Sequence, residues 1–271
     1  MKIYLSIITL CFFILQSVYS QNPDQVKSPY KTSWSVDGPI FGTAVVVAFT
    51  ASAIDERVKN LTLTEINSLS KIDINPIDRV TAGFYSKNQS KVSDALVGMS
   101  IVSPLFLMLD NNIRQDAGII TTMYLETVLF ATFTPSYGKG GVQRIRPYVY
   151  GTTAPLSEKQ NDEARRSFFS GHATWAFATS MFFANVYSDY YPNSKYKEYV
   201  WYGSLGLAST VSILRVSSGA HFISDIVVGA AVGGSIGYLV PYLHRNQSED
   251  FSLLPQISPQ NKGLTLSLRL K

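Results

Sequence analysis

The sequence predicts an all-α protein, a six-helix bundle embedded in a membrane, and three observations carry that prediction. Six apolar stretches of helix length recur along the chain, at 39–54, 95–109, 117–133, 168–187, 200–214 and 222–243. The segments between them are polar and rich in charges and turn residues. Across all 271 residues, 46% are hydrophobic and only 15% charged, which suits a single compact domain with much apolar surface.

The elements follow in order. Residues 1–20 have the form of a secretory signal peptide, with Lys2 ahead of an apolar run and small residues before a cut at Gln21; an uncleaved first transmembrane anchor is the alternative, less favoured by the short apolar core. The single cysteine, Cys11, lies inside that segment, so a processed chain has no disulfide. Residues 21–35, with Pro23 and Pro29, form a polar linker, and residues 36–245 form the helical domain. Between the first and second stretches, residues 55–94 are a polar insertion. In it Thr62 and Glu65 have the spacing of a capping box, and Asn75-Pro76 predicts a turn. The insertion is a connector in the first instance, with a lid over the site as the alternative.

Several apolar stretches are nearer 15 than 20 residues, and Glu126 and Asp225 fall within the third and sixth, so a packed soluble bundle is the alternative to membrane embedding. Small residues in the sixth stretch, from Gly229 to Gly237, permit close helix contact, and Trp34, Tyr148, Tyr199, Trp201, Tyr202 and Tyr242 have the placement of interfacial belts. The tail, 246–271, ends in an alternating segment, Leu264 to Leu270, that predicts a short strand or a peripheral contact. The net charge of +4 is mild and the basic residues are scattered, which excludes a nucleic-acid-binding stripe.

Three clusters carry chemistry. Lys139, Arg144, Arg146 and Pro147 follow the third stretch, where fixed positive charge at a solvent-facing helix end suits a tetrahedral oxyanion. Ser170-Gly171-His172 opens the fourth stretch, where free N–H groups and the helix dipole favour an anion. Arg215, His221 and Asp225 bridge the fifth and sixth stretches. The spacing of four between His221 and Asp225 puts imidazole and carboxylate on one face of a helical turn, so that Asp225 holds one ring nitrogen and the other is free to attack. The remaining histidine, His244, stands at the end of the last stretch, where a helix-terminus charge is the simplest role.

In order and spacing these clusters, Lys139-x6-Arg146-Pro147, Ser170-Gly171-His172 and Arg215-x5-His221-x3-Asp225, resemble the three motifs of the type 2 phosphatidic acid phosphatase and vanadium haloperoxidase superfamily. Two positions depart from the family pattern: Phe169 stands in place of a proline and Leu214 in place of a serine. The six stretches are similar to the helical arrangement of its lipid-phosphatase branch. The resemblance implies that His221 attacks phosphorus, Asp225 orients it, and His172 protonates the leaving oxygen, with Lys139, Arg146, Ser170, Gly171 and Arg215 around the phosphoryl oxygens. It also implies a reaction without a metal or other cofactor, and inhibition by vanadate.

The partner so implied is a phosphorylated lipid in a membrane, such as a phosphatidate, prenyl phosphate or lipid A phosphate, with no nucleic acid. A soluble secreted acid phosphatase and a non-catalytic phospholipid-binding membrane protein are the competing readings; a haloperoxidase is disfavoured by the short chain. The signal places the protein in the periplasm or cell-envelope membrane, with the site outside the cytoplasm. Six spans after a cleaved signal would instead turn the loops after the third and fifth helices inward, a conflict that the basic residues of the loops do not resolve.

Overall fold

The computed structural model describes residues 28–246, 251–257 and 262–268. The signal segment, Cys11 and the start of the linker lie outside the described residues.

Six long helices make the body: α1 (Trp34–Asp55), α2 (Lys87–Val102, continued by a 3₁₀ segment over Ser103–Leu109), α3 (Ala117–Val142), α4 (Gly171–Tyr190), α5 (Lys197–Ser217) and α6 (Ile223–His244). Each contains one of the six apolar stretches or most of it. The largest extension is in α3, which runs through Pro135 to Val142. Its glycines explain why: a methyl group on Gly140 would lie 2.4 Å from the Ile54 carbonyl oxygen, so this turn is held by direct backbone packing on the end of α1. Gln143, with φ of 50°, stops the helix in the left-handed conformation. Lys139 therefore stands at the helix end, within its last turns, but is half-buried rather than facing solvent.

α4 is the central helix, packed against α2, α3, α5 and α6, while α1 lies against α3. Three glycines one turn apart make the α4–α6 contact. A methyl group on Gly229, Gly233 or Gly237 would lie 2.6, 2.2 or 2.2 Å from the carbonyl oxygens of Ser170, Thr174 and Ala178 respectively. The two backbones thus touch along their length, as the small residues of this stretch predict. At the far end a core of Ile113, Ile120, Met123, Phe182 and Val186 closes around Tyr30.

Among the described residues, four segments are long and apolar enough to cross a membrane: Trp34–Asp55, Lys87–Leu109, Ala117–Tyr150 and Ile223–His244. Val46, Phe49, Met99, Phe106 and Val227 on these segments are exposed, an apolar exterior that suits lipid. The bundle is membrane-embedded. α4 and α5 lack so apolar a window, and the buried Thr174, Thr179, Ser180 and Asn185 show how the central helix spends its faces on neighbouring helices. Trp34, Tyr199, Tyr202 and Tyr242 are exposed, as interfacial residues require, but Tyr148 is buried with Val149 and Ala164 under the loop after α3.

The insertion is ordered. Thr62 and Glu65 form the expected reciprocal cap on a short helix, Leu63–Ser68, with the Glu65 N–H donating to Thr62 Oγ1 at 3.3 Å and the Thr62 N–H to Glu65 Oε2 at 2.9 Å. Asn75-Pro76 opens a one-turn helix, Pro76–Arg79, rather than a plain turn. In the tail, two strands, β1 (Phe251–Ile257) and β2 (Lys262–Leu268), pair antiparallel with Phe251 opposite Leu268. The alternating segment supplies β2.

Gly233→Ala is expected to cost about 3 kcal/mol, because its methyl group meets backbone that cannot swing aside. Gly206→Ala on α5, where nothing lies within 4 Å, is the neutral control. Thermal unfolding of both variants in detergent checks this contrast.

Candidate active site

The odd-numbered helices end, and the even-numbered ones begin, at one end of the bundle, and there the three motif segments meet. The Ser167 N–H donates to the Arg144 carbonyl at 3.0 Å, joining the loop after α3 to the segment before α4. The Ser170 N–H donates to the Asp225 carbonyl at 3.2 Å, joining that segment to α6. A methyl group on Gly171 would lie 3.7 Å from Lys139 Nζ, so the ammonium overlies the start of α4. Ser170 is buried and its hydroxyl caps α4 by accepting the Ala173 N–H at 3.3 Å.

His221 sits in the tight turn between α5 and α6. Gly219 makes that turn with φ of +76°, and a side chain there would collide with the Phe84 carbonyl of the insertion. Nδ1 of His221 donates to the Ser167 carbonyl at 2.6 Å. A carbonyl only accepts, so this bond places the proton on Nδ1 and the lone pair on Nε2, which has no protein hydrogen bond among the described residues. Burial holds the imidazole well below its usual pKa, with Arg146 and Arg215 adding to the depression, so His221 is neutral across the physiological range.

Asp225 does not make the predicted bond to His221. The spacing argument assumed that the helix included His221, whereas α6 starts at Ile223 and Phe222 occupies its N-cap position. The carboxylate turns back on that start: Oδ2 accepts the Phe222 N–H at 2.9 Å and the Ser167 hydroxyl at 2.5 Å, and Oδ1 accepts Arg144 at 2.6 Å. Asp225 thus reaches His221 through Ser167, whose hydroxyl it holds and whose carbonyl holds the ring.

His172 and Arg215 share one carboxylate. Asp94 Oδ1 lies 2.8 Å from His172 Nε2 and 3.1 Å from Arg215 Nη1, which also donates to the hydroxyls of Ser90 and Ser93. Burial, and then Arg215, lower the His172 pKa to about 4, against the upward pull of Asp94. Arg146 donates to Glu163 at 2.7 Å. The Nε atoms of Arg146 and Arg215 are both buried and, among the described residues, without a hydrogen-bond partner, an arrangement that a bound oxyanion would satisfy.

Four residues outside the predicted set complete the site: Asp78, Asp94, Arg144 and Ser167. Arg144, noted in the sequence only as one of a basic cluster, bridges Asp225 and Asp78, donating to the latter at 2.8 Å with its guanidinium 4.3 Å from the centre of the Phe222 ring. Asp78 is fully buried and also accepts the backbone and hydroxyl of Ser224, at 2.9 and 2.5 Å. The insertion is therefore a wall of the site and supplies two of its acidic residues, Asp78 and Asp94. Phe169, at one of the departures from the family pattern, is buried against Gly138 of α3.

The chain belongs to the PAP2 superfamily, whose family model matches residues 117–249, from the start of α3 to just beyond α6. It is 32% identical over 106 residues to a lipid A 1-phosphatase of Porphyromonas gingivalis, an alignment covering 37% of this chain and 21% of that protein. The chain thus spans about a fifth of the length of the curated relative it matches. Among solved structures, it is similar to the first transmembrane PAP2 type phosphatidylglycerolphosphate phosphatase from Bacillus subtilis, with 21% identity, a TM-score of 0.45, and coverage of 77% of this chain and 94% of that one.

Removing Arg144 leaves two buried carboxylates side by side. Arg144→Met is expected to destabilise the protein by about 3–5 kcal/mol, and the double variant with Asp78→Asn to recover part of that loss. Denaturant or thermal unfolding of the single and double variants measures the coupling.

Proposed function

We propose that this protein is a metal-independent phosphatase that hydrolyses a lipid-linked phosphoester through a phosphohistidine on His221. One arrangement carries the reading: a neutral imidazole, pinned through Nδ1, presents Nε2 in the field of Arg146 and Arg215, whose buried Nε–H groups have no hydrogen-bond partner among the described residues. The Nε2 lone pair forms a bond to phosphorus as the bond to the leaving alcohol oxygen breaks, and His172 gives that oxygen its proton. Water then attacks the phosphohistidine while His172 takes a proton from it, releasing phosphate and restoring His221. Lys139, Arg146, Arg215 and the N–H groups at the start of α4 neutralise the charge that builds on the phosphoryl oxygens. Asp225 acts as a positioning group through Ser167.

The apolar exterior of the bundle, and the likeness of the matched segment to a lipid A 1-phosphatase, both favour a phosphate carried on a lipid. A secreted soluble phosphatase has no use for four apolar helices of spanning length. The site lies at the end of the bundle opposite Trp34 and His244, and we place that end outside the cytoplasm. In a Cys11→Ser background, Gln160→Cys is then labelled by a membrane-impermeant maleimide in whole cells and Lys31→Cys is not; the reverse pattern puts the site inside.

Purified protein is expected to release phosphate from lipid phosphoesters in EDTA and to stop with vanadate. Radiolabelled phosphate should be trapped on the chain in an acid-labile form and be absent from His221→Ala. Activity that needs an added divalent ion in the assay contradicts the mechanism.

The pH dependence has a definite sign. His172 acts as acid only when protonated, and its lowered pKa makes that fraction shrink as pH rises, so kcat/KM falls between about pH 5 and pH 8. Asp94 raises the His172 pKa, so Asp94→Asn lowers it further. The variant's kcat/KM near neutral pH is expected to drop by about tenfold, with the falling limb moved to more acidic pH. A profile that rises over this range in the wild type assigns the acid to another group.

A further inference from the structure

About 28 Å along α6 from Asp225, at the opposite end of the bundle, lies a second buried polar cluster that the proposed chemistry does not use. Asp37 from the first turn of α1, Glu126 from the middle of α3 and His244 at the end of α6 converge there, with one donor atom from each within 4.8 Å of the others. His244 Nε2 is 3.0 Å from Asp37 Oδ1 and 3.4 Å from Glu126 Oε2. His244 stands in the last turn of α6 as expected, but it is fully buried and bound between two carboxylates, more than a simple helix-terminus charge.

We propose that Asp37, Glu126 and His244 bind a divalent first-row transition-metal ion that clamps α1, α3 and α6 together. Three observations support the assignment. Glu126 is completely buried, points into the cluster, and among the described residues neither carboxylate oxygen has a hydrogen-bond partner. A buried carboxylate left in that state is costly unless a cation or a proton meets it. His244 is oriented as a metal ligand: its Nδ1 lies 2.8 Å from the Val240 carbonyl, and donation there leaves the Nε2 lone pair facing the two carboxylates.

The third observation is the match of charge and spacing. Two carboxylates and a neutral imidazole sum to −2, which one divalent cation cancels, whereas an imidazolium in the same place leaves the pocket at −1. A tetrahedral ion at the usual N and O bond lengths sets donors about 3.4 Å apart, close to the 3.0 and 3.4 Å that separate His244 Nε2 from Asp37 Oδ1 and Glu126 Oε2. The mixed nitrogen and oxygen donor set favours Zn²⁺ or Mn²⁺ over Ca²⁺ or Mg²⁺, with water completing the coordination.

The ion would also fix the strap that precedes α1. The Ser33 N–H donates to Asp37 Oδ2 at 2.5 Å, the Lys31 N–H to the His244 carbonyl at 2.8 Å, and Tyr30 pairs with Arg245 across a single bridge. Both ends of the helical body are thereby joined at the cluster.

Metal analysis of the full-length protein, purified in detergent without chelators, is expected to show about one Zn²⁺ or Mn²⁺ per chain. After EDTA treatment, micromolar Zn²⁺ or Mn²⁺ should raise the thermal midpoint by ~5 °C or more. His244→Ala should weaken the ion's binding by about a hundredfold, and Glu126→Gln, which keeps the size and removes the charge, should abolish the thermal response. His221→Ala, inactive in phosphate release, should keep the ion and the response, so this test stands apart from the one for catalysis. Absence of a stoichiometric ion together with no thermal response in the wild type overturns the proposal. So does a Glu126→Gln variant as responsive as the wild type, the result expected if Glu126 merely carries a proton.

Discussion

The Asp225 carboxylate is the junction on which the active end of the protein depends. It is buried at the start of α6 and accepts from three segments far apart in sequence: Arg144 after α3, Ser167 before α4, and the Phe222 N–H at the head of its own helix. Each bond removes a freedom the site cannot tolerate. Ser167 fixed in place gives His221 a rigid carbonyl to donate to, and Arg144 fixed in place ties in Asp78 and with it the insertion. A buried carboxylate demands such partners, so the demand itself organises the site.

That junction forms only because α6 reaches α4 at backbone distance. With Gly229 set 2.6 Å, by its missing methyl, from the Ser170 carbonyl, the Ser170 N–H meets the Asp225 carbonyl directly. Larger residues along the stripe would separate the helices and pull the third motif from the second. The glycine spacing of α6 and the placing of the second motif beside the third are two parts of one constraint.

The sequence made the helices legible because apolar runs of helix length have few other readings, and it made the three motif segments legible because their charged residues stand at the edges of those runs. It did not disclose what joins them. Ser167 and Asp78 lie in polar segments where nothing distinguishes a buried hydroxyl or carboxylate from a solvated one; both partnerships are tertiary. Asp94 stands one residue before the second apolar stretch and was counted with the insertion, although the helix extends back to Lys87 and presents Asp94 to His172. The pairing of Asp225 with His221 failed for a local reason: an i to i+4 argument holds only within a helix, and α6 begins two residues after the histidine. His244 followed the same logic in reverse, since a helix terminus is exposed only when nothing covers it, and here the strap around Tyr30 does.

The two ends of the bundle pose opposite electrostatic problems. At one, Arg146 and Arg215 bring buried positive charge and keep an N–H each without a partner; at the other, Asp37 and Glu126 bring buried negative charge against a single imidazole. An apolar interior penalises either excess, and the penalty is lowest when an ion of the opposite sign is present. At the positive end the proposed reaction needs the anion to come and go, and Asp94 and Glu163, the exposed acidic partners of His172, Arg215 and Arg146, stand where they could yield to a phosphoryl group. At the negative end every donor is buried and the chain closes over it. The difference in burial is what separates the proposed site of turnover from the proposed site of a resident ion.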